Sequence, residues 1–365
     1  MRVAKVHRIA ARSPDDVRGI EAAIAAGHIG PGGVIAVFGK TEGNGLVNDF
    51  SRGLATTSLS ALFRRHLPAE DADRICLVMS GGTEGGMAPA WVVFERAEGG
   101  NGASPALAIG RAHTAALPFE QLGRIGQVQQ VAAGVREAMN DAGLTDAGDV
   151  HFVQIKCPLL TAQRIADADG RGAKVATRDT LKSMGLSRAA SALGVAVALG
   201  EIDAGSIGES EIGVNWDLWS GHASTSAGIE LTNHEIVVLG MSAQWSGPLA
   251  IDHAVMADGI DIEPVRAALS RLGLSSPGQI SAADRQRLVA VLAKAEASHD
   301  GRLRGNRHTM LDDSDISSTR HARAFVCGAL AGLVGHAEIY VSGGAEHQGP
   351  DGGGPVALIV TRDER

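Results

Sequence analysis

The sequence YVSGGAEHQGPDGGG, from Tyr340 to Gly354, contains a β-rich run that stops at a serine, directly before two glycines. Its core pattern, Ser-[Gly/Ala]-Gly-x-Glu, occurs three times in the chain, at Ser80–Glu84, Ser226–Glu230 and Ser342–Glu346. With average residue usage, such a pattern is expected roughly 0.03 times in a chain of this length. The motif therefore indicates an internal threefold repeat.

Three other features recur in a fixed order around the motif. An apolar run that ends in a lysine comes first, at Val34–Lys40, Val150–Lys156 and Arg287–Lys294. An alanine-rich segment with apolar residues at helical spacing follows, and it carries Arg52, Arg188 or Arg320. A β-branched run comes after the motif each time. The sequence therefore predicts three α/β units of the order strand–Lys, Arg–helix, strand–Ser-Gly, strand.

Some finer features can also be predicted for each unit. Each unit should begin with a helix, and in the first unit Ser13 is the expected N-cap and Pro14 the first helical residue. The strand before Ser226 is predicted at Gly213–Trp219. A serine or threonine before each arginine is the expected cap of the arginine-bearing helix.

The length of 365 residues favours two or three domains. Connectors near residues 98–112 and 246–256 are predicted joints, because they are rich in glycine, serine or polar residues. These joints give three homologous α/β domains at residues 1–105, 106–248 and 249–365. Arranged around a pseudo-threefold axis, the three domains would bring their repeated polar residues to one central site.

The composition argues against several classes of protein. A net charge of −8 disfavours a nucleic-acid partner, because phosphate binding needs a concentrated basic surface. The chain contains no apolar run of 18 residues, so no membrane span is predicted. Its three scattered cysteines, Cys76, Cys157 and Cys327, give no disulfide framework. The chain is expected to be cytoplasmic, with neither a membrane nor a nucleic-acid partner.

Two familiar kinds of site are not supported by the sequence. GGVIAVFGKT looks like a phosphate-binding loop, but five apolar residues, Val34 to Phe38, separate Gly33 from Gly39, where the motif has four. That stretch is predicted to be a strand, which leaves no free loop to wrap a phosphate. The 13 histidines show no paired spacing suited to zinc.

The repeated lysine and serine suggest a different chemistry. A serine hydroxyl is a poor nucleophile until a base takes its proton, and a buried lysine with a depressed pKa can be that base. The glycines after the serine let backbone N–H groups approach a developing oxyanion. In a single repeat, a tight turn and a solvated lysine would be the simpler interpretation. Three matched sets of lysine, arginine and serine favour a site, whose ligand would be a flat ring of threefold character, such as a cyclic imide.

These residues resemble the cyanuric acid hydrolase and barbiturase family of ring-opening amidohydrolases. The resemblance covers essentially the whole chain and is carried by GKTEGNGLVNDFSRG (39–53), SGGTEGG (80–86), IKCP (155–158) and SGGAEHQGPDGGG (342–354). It implies three similar α/β units around a pseudo-threefold axis and hydrolysis of one ring C–N bond, with no cofactor needed for catalysis.

The resemblance also implies roles for single residues. Three Ser–Lys pairs match the family: Ser80 with Lys40, Ser226 with Lys156, and Ser342 with Lys294. Ser226 would be the nucleophile and Lys156 its base, while the other pairs would hold the ring and polarise its carbonyl groups. The three serines and six further residues would bind the substrate; the six are Arg52, Gly81, Arg188, Ala227, Arg320 and Gly343.

The family further implies a structural divalent cation, magnesium or calcium, near the C-terminal loop. The Glu296 carboxylate would bind it together with oxygens of five other residues: Ala345, Gln348, Gly349, Pro350 and Gly353. Oxygen-only ligation suits a hard cation, whereas a glycine-rich loop held by turns alone is the alternative. Ile316 matches the family's specificity position, and the family suggests a homotetramer.

Three functional hypotheses remain at this point. The leading one is hydrolysis of cyanuric acid to carboxybiuret, which then gives biuret and carbon dioxide. A barbiturase acting on barbituric acid is the alternative within the same class. A binding protein for a cyclic imide, without turnover, is the alternative from another class; it would need the arginines but not the lysines.

Overall fold

The computed structural model describes residues 1–100, 102 and 104–363, and its strands form three main mixed sheets. The first sheet and its helices comprise β1 (Arg2–Ala10), α1 (Arg18–Ala25), β2 (Val34–Thr41), α2 (Phe50–Phe63), α3 (Ala69–Ala72), β3 (Cys76–Gly81) and β4 (Ala90–Glu98). The second region comprises β5 (Ala106–His113), α4 (Ile125–Ala142), β6 (Val150–Pro158), α5 (Ala162–Gly170), α6 (Thr180–Leu199), β7 (Ala223–Gly228), β8 (Glu235–Ser242) and β9 (Trp245–Ser246). The third comprises β10 (Leu249–Met256), α7 (Glu263–Arg271), α8 (Ala282–Arg287), β11 (Leu288–Ala295), β12 (Arg302–Leu303), β13 (Asn306–Arg307), α9 (Ser318–Val334), β14 (Tyr340–Gly343) and β15 (Gly354–Thr361).

The three main sheets share one topology. Their strand orders are β3-β2-β4-β1, β7-β6-β8-β5 and β14-β11-β15-β10, and β9 extends the first sheet beside β1. In each sheet the lysine strand runs parallel to the serine strand and antiparallel to the last strand. The predicted α/β fold of three repeats is confirmed. The division into domains at residues 105 and 248 stays a prediction.

Two strands lie where joints were predicted. β5 and β10 are edge strands, paired antiparallel to β8 and β15. In β5 the small residues that suggested a connector are required by close packing, because a Cβ on Gly110 would come within 2.1 Å of the Ala138 carbonyl oxygen in α4. The interpretation of residues 106–112 and 249–256 as joints was therefore wrong.

The strand that carries Ser226 was also misplaced. It is β7, whereas Gly213–Trp219 forms turns, held in part by the Gly213 amide donating to His347 Nε2 over 2.7 Å. β7 has the sequence ASTSAG and is buried throughout. Small residues fit a strand covered on both faces, but they do not give the β-branched pattern from which strands are predicted.

The helix starts differ from the predictions as well. α1 begins at Arg18, because the Ser13 hydroxyl donates to Asp15 Oδ1 instead of capping a helix. Aspartates, not hydroxyl residues, cap the first two arginine-bearing helices: Asp49 accepts from the Ser51 amide at α2, and Asp179 from the Lys182 amide at α6. Ser317 stands at the N-cap of α9.

One apolar core joins the three sheets. It includes Phe38 of β2, Phe152 of β6, Leu292 of β11 and Tyr340 of β14, and the rings of Phe38 and Tyr340 are 5.7 Å apart. Burial of this shared apolar surface, at about 25 cal/mol per Å², holds the lysine-bearing strands together. Among the described residues, no helix is long and apolar enough to cross a membrane.

Candidate active site

Each predicted lysine lies opposite its predicted serine on the neighbouring parallel strand. The register pairs Lys40 with Ser80, Lys156 with Ser226, and Lys294 with Ser342. All three lysines are buried, with at most 2% of their surface exposed. The fold therefore places a lysine opposite a serine at the carboxyl end of two parallel strands, three times over.

The first and third pairs are hydrogen-bonded. Lys40 Nζ donates to Ser80 Oγ over 3.1 Å, and Lys294 Nζ donates to Ser342 Oγ over 3.2 Å. Because each serine oxygen accepts from its lysine, the hydroxyl proton remains available for an acceptor on a ligand.

The second pair is arranged differently. Lys156 Nζ donates to the Met79 carbonyl over 2.6 Å and lies 2.9 Å from Glu230 Oε1. Ser226, at 7% exposed, is the most accessible of the three motif serines. The Lys156 amine is thus held by Met79 and Glu230, and among the described hydrogen bonds it makes none to Ser226.

Lysine contacts bring the three sheets to one place. Lys156 of β6 reaches the Met79 carbonyl, directly before Ser80 in the first sheet. Lys294 of β11 reaches the Thr225 carbonyl over 2.9 Å, directly before Ser226 in the second sheet. Each of these two amines therefore contacts the backbone of the residue that precedes a motif serine in another sheet.

The predicted arginines form cross-repeat ion pairs with the motif glutamates. Arg52 Nε lies 3.5 Å from Glu230 Oε1, and Arg188 holds both oxygens of Glu346 at 2.6 and 2.7 Å. Arg320 Nε donates to Glu84 Oε1 over 3.0 Å. Each arginine therefore binds the motif glutamate of the next repeat, which closes a ring around the centre.

Part of this ring was not predicted from the sequence. The motif glutamates were given no role there, and Arg323 was not singled out. Arg323 is 2% exposed and binds Glu84 at 2.6 and 2.8 Å. The signal in the sequence for these ion pairs was the glutamate that is fixed in Ser-[Gly/Ala]-Gly-x-Glu. A charged residue that is the same in all three copies indicates that each copy pairs with another charged group.

The second glycine of the motif makes room for these ion pairs. Gly82 and Gly344 have φ angles of +101° and +79°, which favour glycine. A Cβ on Gly82 would lie 2.3 Å from Arg323, and one on Gly344 would lie 2.4 Å from Arg188. The turn after the serine therefore lets the guanidinium of the neighbouring repeat pass close to the backbone.

Burial lowers the pKa of all three lysines, because an apolar environment disfavours the ammonium form. The pKa of Lys294 falls to about 7, and that of Lys40 falls well below its ordinary value, with the charge of Arg323 as the next cause. For Lys156, the Glu230 carboxylate opposes the effect of burial on the pKa. Amines with lowered pKa values can accept a proton from a hydroxyl.

A model of the family described as amidohydrolase ring-opening protein matches residues 5–361. The chain belongs to this family. It is 66% identical over 363 residues to the cyanuric acid amidohydrolase of Azorhizobium caulinodans and 63% identical over 367 residues to that of a Bradyrhizobium species. Both matches cover 99% of each chain. As a member of an amidohydrolase family, the chain is an enzyme and not a binding protein without turnover.

Solved structures of this family have the same fold. The crystal structure of the A. caulinodans cyanuric acid hydrolase matches with a TM-score of 0.92 and 65% identity over 99% of both chains. A second cyanuric acid hydrolase, described as an innovation by structural concatenation, gives a TM-score of 0.94 at 47% identity over 99% of this chain and all of that one. The structural concatenation described for that hydrolase agrees with the three repeated sheets of this chain.

The residues suggested as cation ligands in this amidohydrolase lie together near β11 and β14. Glu296 is buried, and burial together with the charge of Glu346 raises its pKa. Its oxygens accept from the amides of Ala297 and Ala345 over 2.9 and 3.2 Å, while the nearby Arg188 is held by Glu346. A buried carboxylate beside a tight, glycine-rich backbone fits a hard divalent cation.

The loop that would complete this cation site is compact. Gln348 is fully buried and accepts from the Thr225 amide over 2.6 Å, and Gly349 turns with a φ of +92°. The Gly353 amide donates to the Pro350 carbonyl over 2.9 Å. The loop thus follows directly on the third serine strand and reaches the second.

The predicted specificity position lies near an opening to the surface. A hollow of about 490 Å³ opens beside the Arg188–Glu346 pair, with Leu46 and Ser317 in its wall. Ile316 is 38% exposed and directly precedes Ser317. Its role in substrate choice stays a prediction.

A cluster of His151, Asp252 and His253 lies at the junction of the second and third sheets. Its two Nδ1 atoms are 3.0 Å apart, but the Asp252 oxygens already accept from Arg271 and from the His253 amide. His151 is the second residue of β6 and Lys156 the seventh, so the cluster lies about 16 Å along the strand from the lysine. It is a hydrogen-bonded junction, separate from the Ser–Lys centre.

Proposed function

We propose that this amidohydrolase opens the ring of cyanuric acid to give carboxybiuret, which then loses carbon dioxide to give biuret. The observation that carries the proposal is the meeting of three Lys–Ser pairs inside a closed ring of Arg–Glu ion pairs. A flat ring with three carbonyl groups can satisfy three such sets at once. The cyanuric acid hydrolases to which the chain is similar support this choice of substrate.

Ser226 is the proposed nucleophile and Lys156 its general base. The Ser226 oxygen bonds to a ring carbonyl carbon while its proton passes to the neutral Lys156 amine. The ring C–N bond then breaks, and the ammonium returns the proton to the leaving nitrogen. Water attacks the resulting acyl-serine and releases the open product, which restores Ser226. Two observations support this role: Lys156 lies opposite Ser226 in the strand register, and Ser226 is the most exposed of the three motif serines.

The first and third pairs are proposed to hold and polarise the ring. Ser80 and Ser342 accept hydrogen bonds from their lysines and so can donate their protons to ring carbonyl oxygens. The serine and the residue after it, Gly81, Ala227 or Gly343, are proposed to bind the substrate through backbone and hydroxyl groups. Donors aimed at a developing oxyanion contribute most where water is excluded.

Arg52, Arg188 and Arg320 are proposed to bind the substrate ring from its edge. Glu346 holds Arg188 through Nε and Nη2, an orientation in which Nη1 can be offered to a ligand. A guanidinium held in this way loses little further freedom on binding, which favours affinity.

The experiment that tests the proposed function is a spectrophotometric assay of the purified protein with cyanuric acid and, separately, with barbituric acid. We expect turnover of cyanuric acid. Appreciable turnover of barbituric acid with none of cyanuric acid would assign the barbiturase activity instead. Comparison of Ile316 variants in the same assay tests whether this position affects the ratio of the two kcat/KM values.

We also propose a structural divalent cation, magnesium or calcium, at Glu296 and the oxygens of Ala345, Gln348, Gly349, Pro350 and Gly353. The cation would neutralise the buried carboxylate and tie the loop to β11. Elemental analysis of the purified protein should find one such ion per chain, and less in Glu296→Gln. A chain without bound magnesium or calcium at full activity and stability would contradict this proposal.

A cytoplasmic homotetramer is the proposed assembly. Exposed apolar side chains on α2, Phe50 at 76% and Leu54 at 48%, support burial against another copy of the chain. Light scattering of the purified protein should give the mass of four chains. A monomeric mass at micromolar concentration would contradict the proposal.

A further inference from the structure

The three motif glutamates do not make equivalent contacts. Glu84 and Glu346 bind guanidinium groups at distances down to 2.6 Å. Glu230 instead lies 2.9 Å from the Lys156 amine and 3.5 Å from Arg52. Among the described ion pairs, it is the motif glutamate that contacts a lysine. The threefold symmetry is thus broken beside the lysine proposed as the base.

The Lys156–Glu230 contact is deeply buried. The side chains of Lys156 and Glu230 are 0% and 9% exposed, so water screens the two charges poorly. Within the described part of the chain, neither Glu230 oxygen has an aligned hydrogen-bond partner. The carboxylate is therefore positioned by the charges of Lys156 and Arg52, and its interaction strengthens or weakens with the charge on the amine.

We infer that Glu230 is the positioning residue that makes the second Ser–Lys pair the reactive one, an inference that rests on the roles proposed for Ser226 and Lys156. As Ser226 attacks, its O–H bond breaks and an N–H bond forms on Lys156. The new ammonium then lies against the Glu230 carboxylate until the proton passes to the leaving ring nitrogen. Glu230 stabilises this cation as the buried carboxylate of a Ser-His-Asp triad stabilises the imidazolium.

In this role, Glu230 also affects the dependence of activity on pH. The charged and titratable groups that face the Lys156 amine are Glu230, Arg52, Cys157 and Glu235. Glu230 raises the pKa of Lys156 against the larger effect of burial, and Arg52 lowers it. Because the amine must be neutral to accept a proton, kcat/KM falls as the pH drops through this pKa. Loss of the Glu230 charge should therefore move the acidic limb to lower pH.

The test compares Glu230→Gln with Glu84→Gln, a matched change in the first repeat. Glu84 contacts Arg320 and Arg323, whereas the Lys156 amine is paired with Glu230. For Glu230→Gln we expect the acidic limb of kcat/KM to shift down by about 1 to 3 pH units. We also expect a plateau kcat lower by on the order of 10²-fold, since the ammonium is no longer stabilised. Glu84→Gln should raise KM and leave the limb in place.

Two further variants separate the possible outcomes. Glu230→Asp keeps the charge, so its limb should stay near that of the wild type, which also checks that the site tolerates substitution. The inference is overturned if the acidic limb of kcat/KM does not shift in Glu230→Gln, or if it shifts equally in Glu84→Gln. The proposed function still holds in that case, provided that Ser226→Ala is inactive. Full activity in Ser226→Ala overturns the proposed roles themselves, whatever Glu230→Gln does.

Discussion

Replacing each motif serine by alanine removes the same hydroxyl from equivalent positions in three sheets. In Ser80→Ala, the buried Lys40 amine loses an acceptor at 3.1 Å, and in the described part of the chain no second hydrogen-bond acceptor lies beside it. In the complex, the ring carbonyl oxygen to which Ser80 is proposed to donate is left unpaired too, at a cost of about 1–3 kcal/mol. At 1.36 kcal/mol per factor of ten, that cost corresponds to a loss of roughly 5- to 150-fold in kcat/KM.

Ser342→Ala should be milder than Ser80→Ala. Lys294 also donates to the Thr225 carbonyl over 2.9 Å and to the Gly343 carbonyl over 3.4 Å. The amine therefore keeps acceptors when the serine hydroxyl is lost. We expect the loss in kcat/KM for Ser342→Ala to lie near the lower end of the same range, roughly 5-fold.

Ser226→Ala should lose activity by several further orders of magnitude, because no remaining hydroxyl can form the acyl intermediate. The assay is steady-state kinetics on cyanuric acid for all three variants, with folding checked by circular dichroism. The expected order of activity is Ser342→Ala, then Ser80→Ala, then Ser226→Ala. Similar losses in all three variants would refute the reasoning, since they would mean that the three serines have equivalent roles in binding and that none of them is the nucleophile.

Three other predictions concern the lysine, the ion-pair ring and the turn glycine. Lys156→Ala should fold but not turn over substrate. In the wild type, kcat/KM measured from pH 4 to 9 should show an acidic limb below the usual lysine range, because burial lowers the pKa of Lys156. A flat pH profile would contradict the role of Lys156 as base. Arg188→Met should destabilise the fold by about 3–5 kcal/mol by leaving Glu346 unpaired, which calorimetry can measure, and adding Glu346→Gln should recover part of the loss. Gly344→Ala should lower the melting temperature and raise KM, because its Cβ meets Arg188 at a φ of +79°, whereas Gly328→Ala in α9, where the Cβ is unobstructed, should be neutral or stabilising by up to about 1 kcal/mol.

The sequence was enough to predict the repeats and the elements that carry the repeated polar residues. Lysine after an apolar run and the serine motif recur in fixed order, so five of the six strands that carry them could be located from pattern alone, and only β7 was misplaced. The register then brings Lys40 beside Ser80, and likewise in the other sheets. That pairing follows from the parallel strands of one repeated unit.

Other features depend on packing that the sequence does not reveal. β5 and β7 consist largely of small residues because helices and neighbouring strands lie close against them, so they lack a β-branched pattern. The Arg–Glu ring depends on how one repeat faces the next, which is a tertiary property. Asp49 and Asp179 cap their helices ahead of the hydroxyl residues that were expected, because both helices begin before the alanine-rich segments in which those residues lie.

The central claim is that Ser226 attacks the ring, and the most direct test is to find the covalent intermediate. Enzyme mixed with cyanuric acid can be quenched with acid within milliseconds, digested and sequenced by mass spectrometry. An acyl adduct on the peptide that contains Ser226, absent from Ser226→Ala, is the predicted result. An adduct on Ser80 or Ser342 would contradict the account.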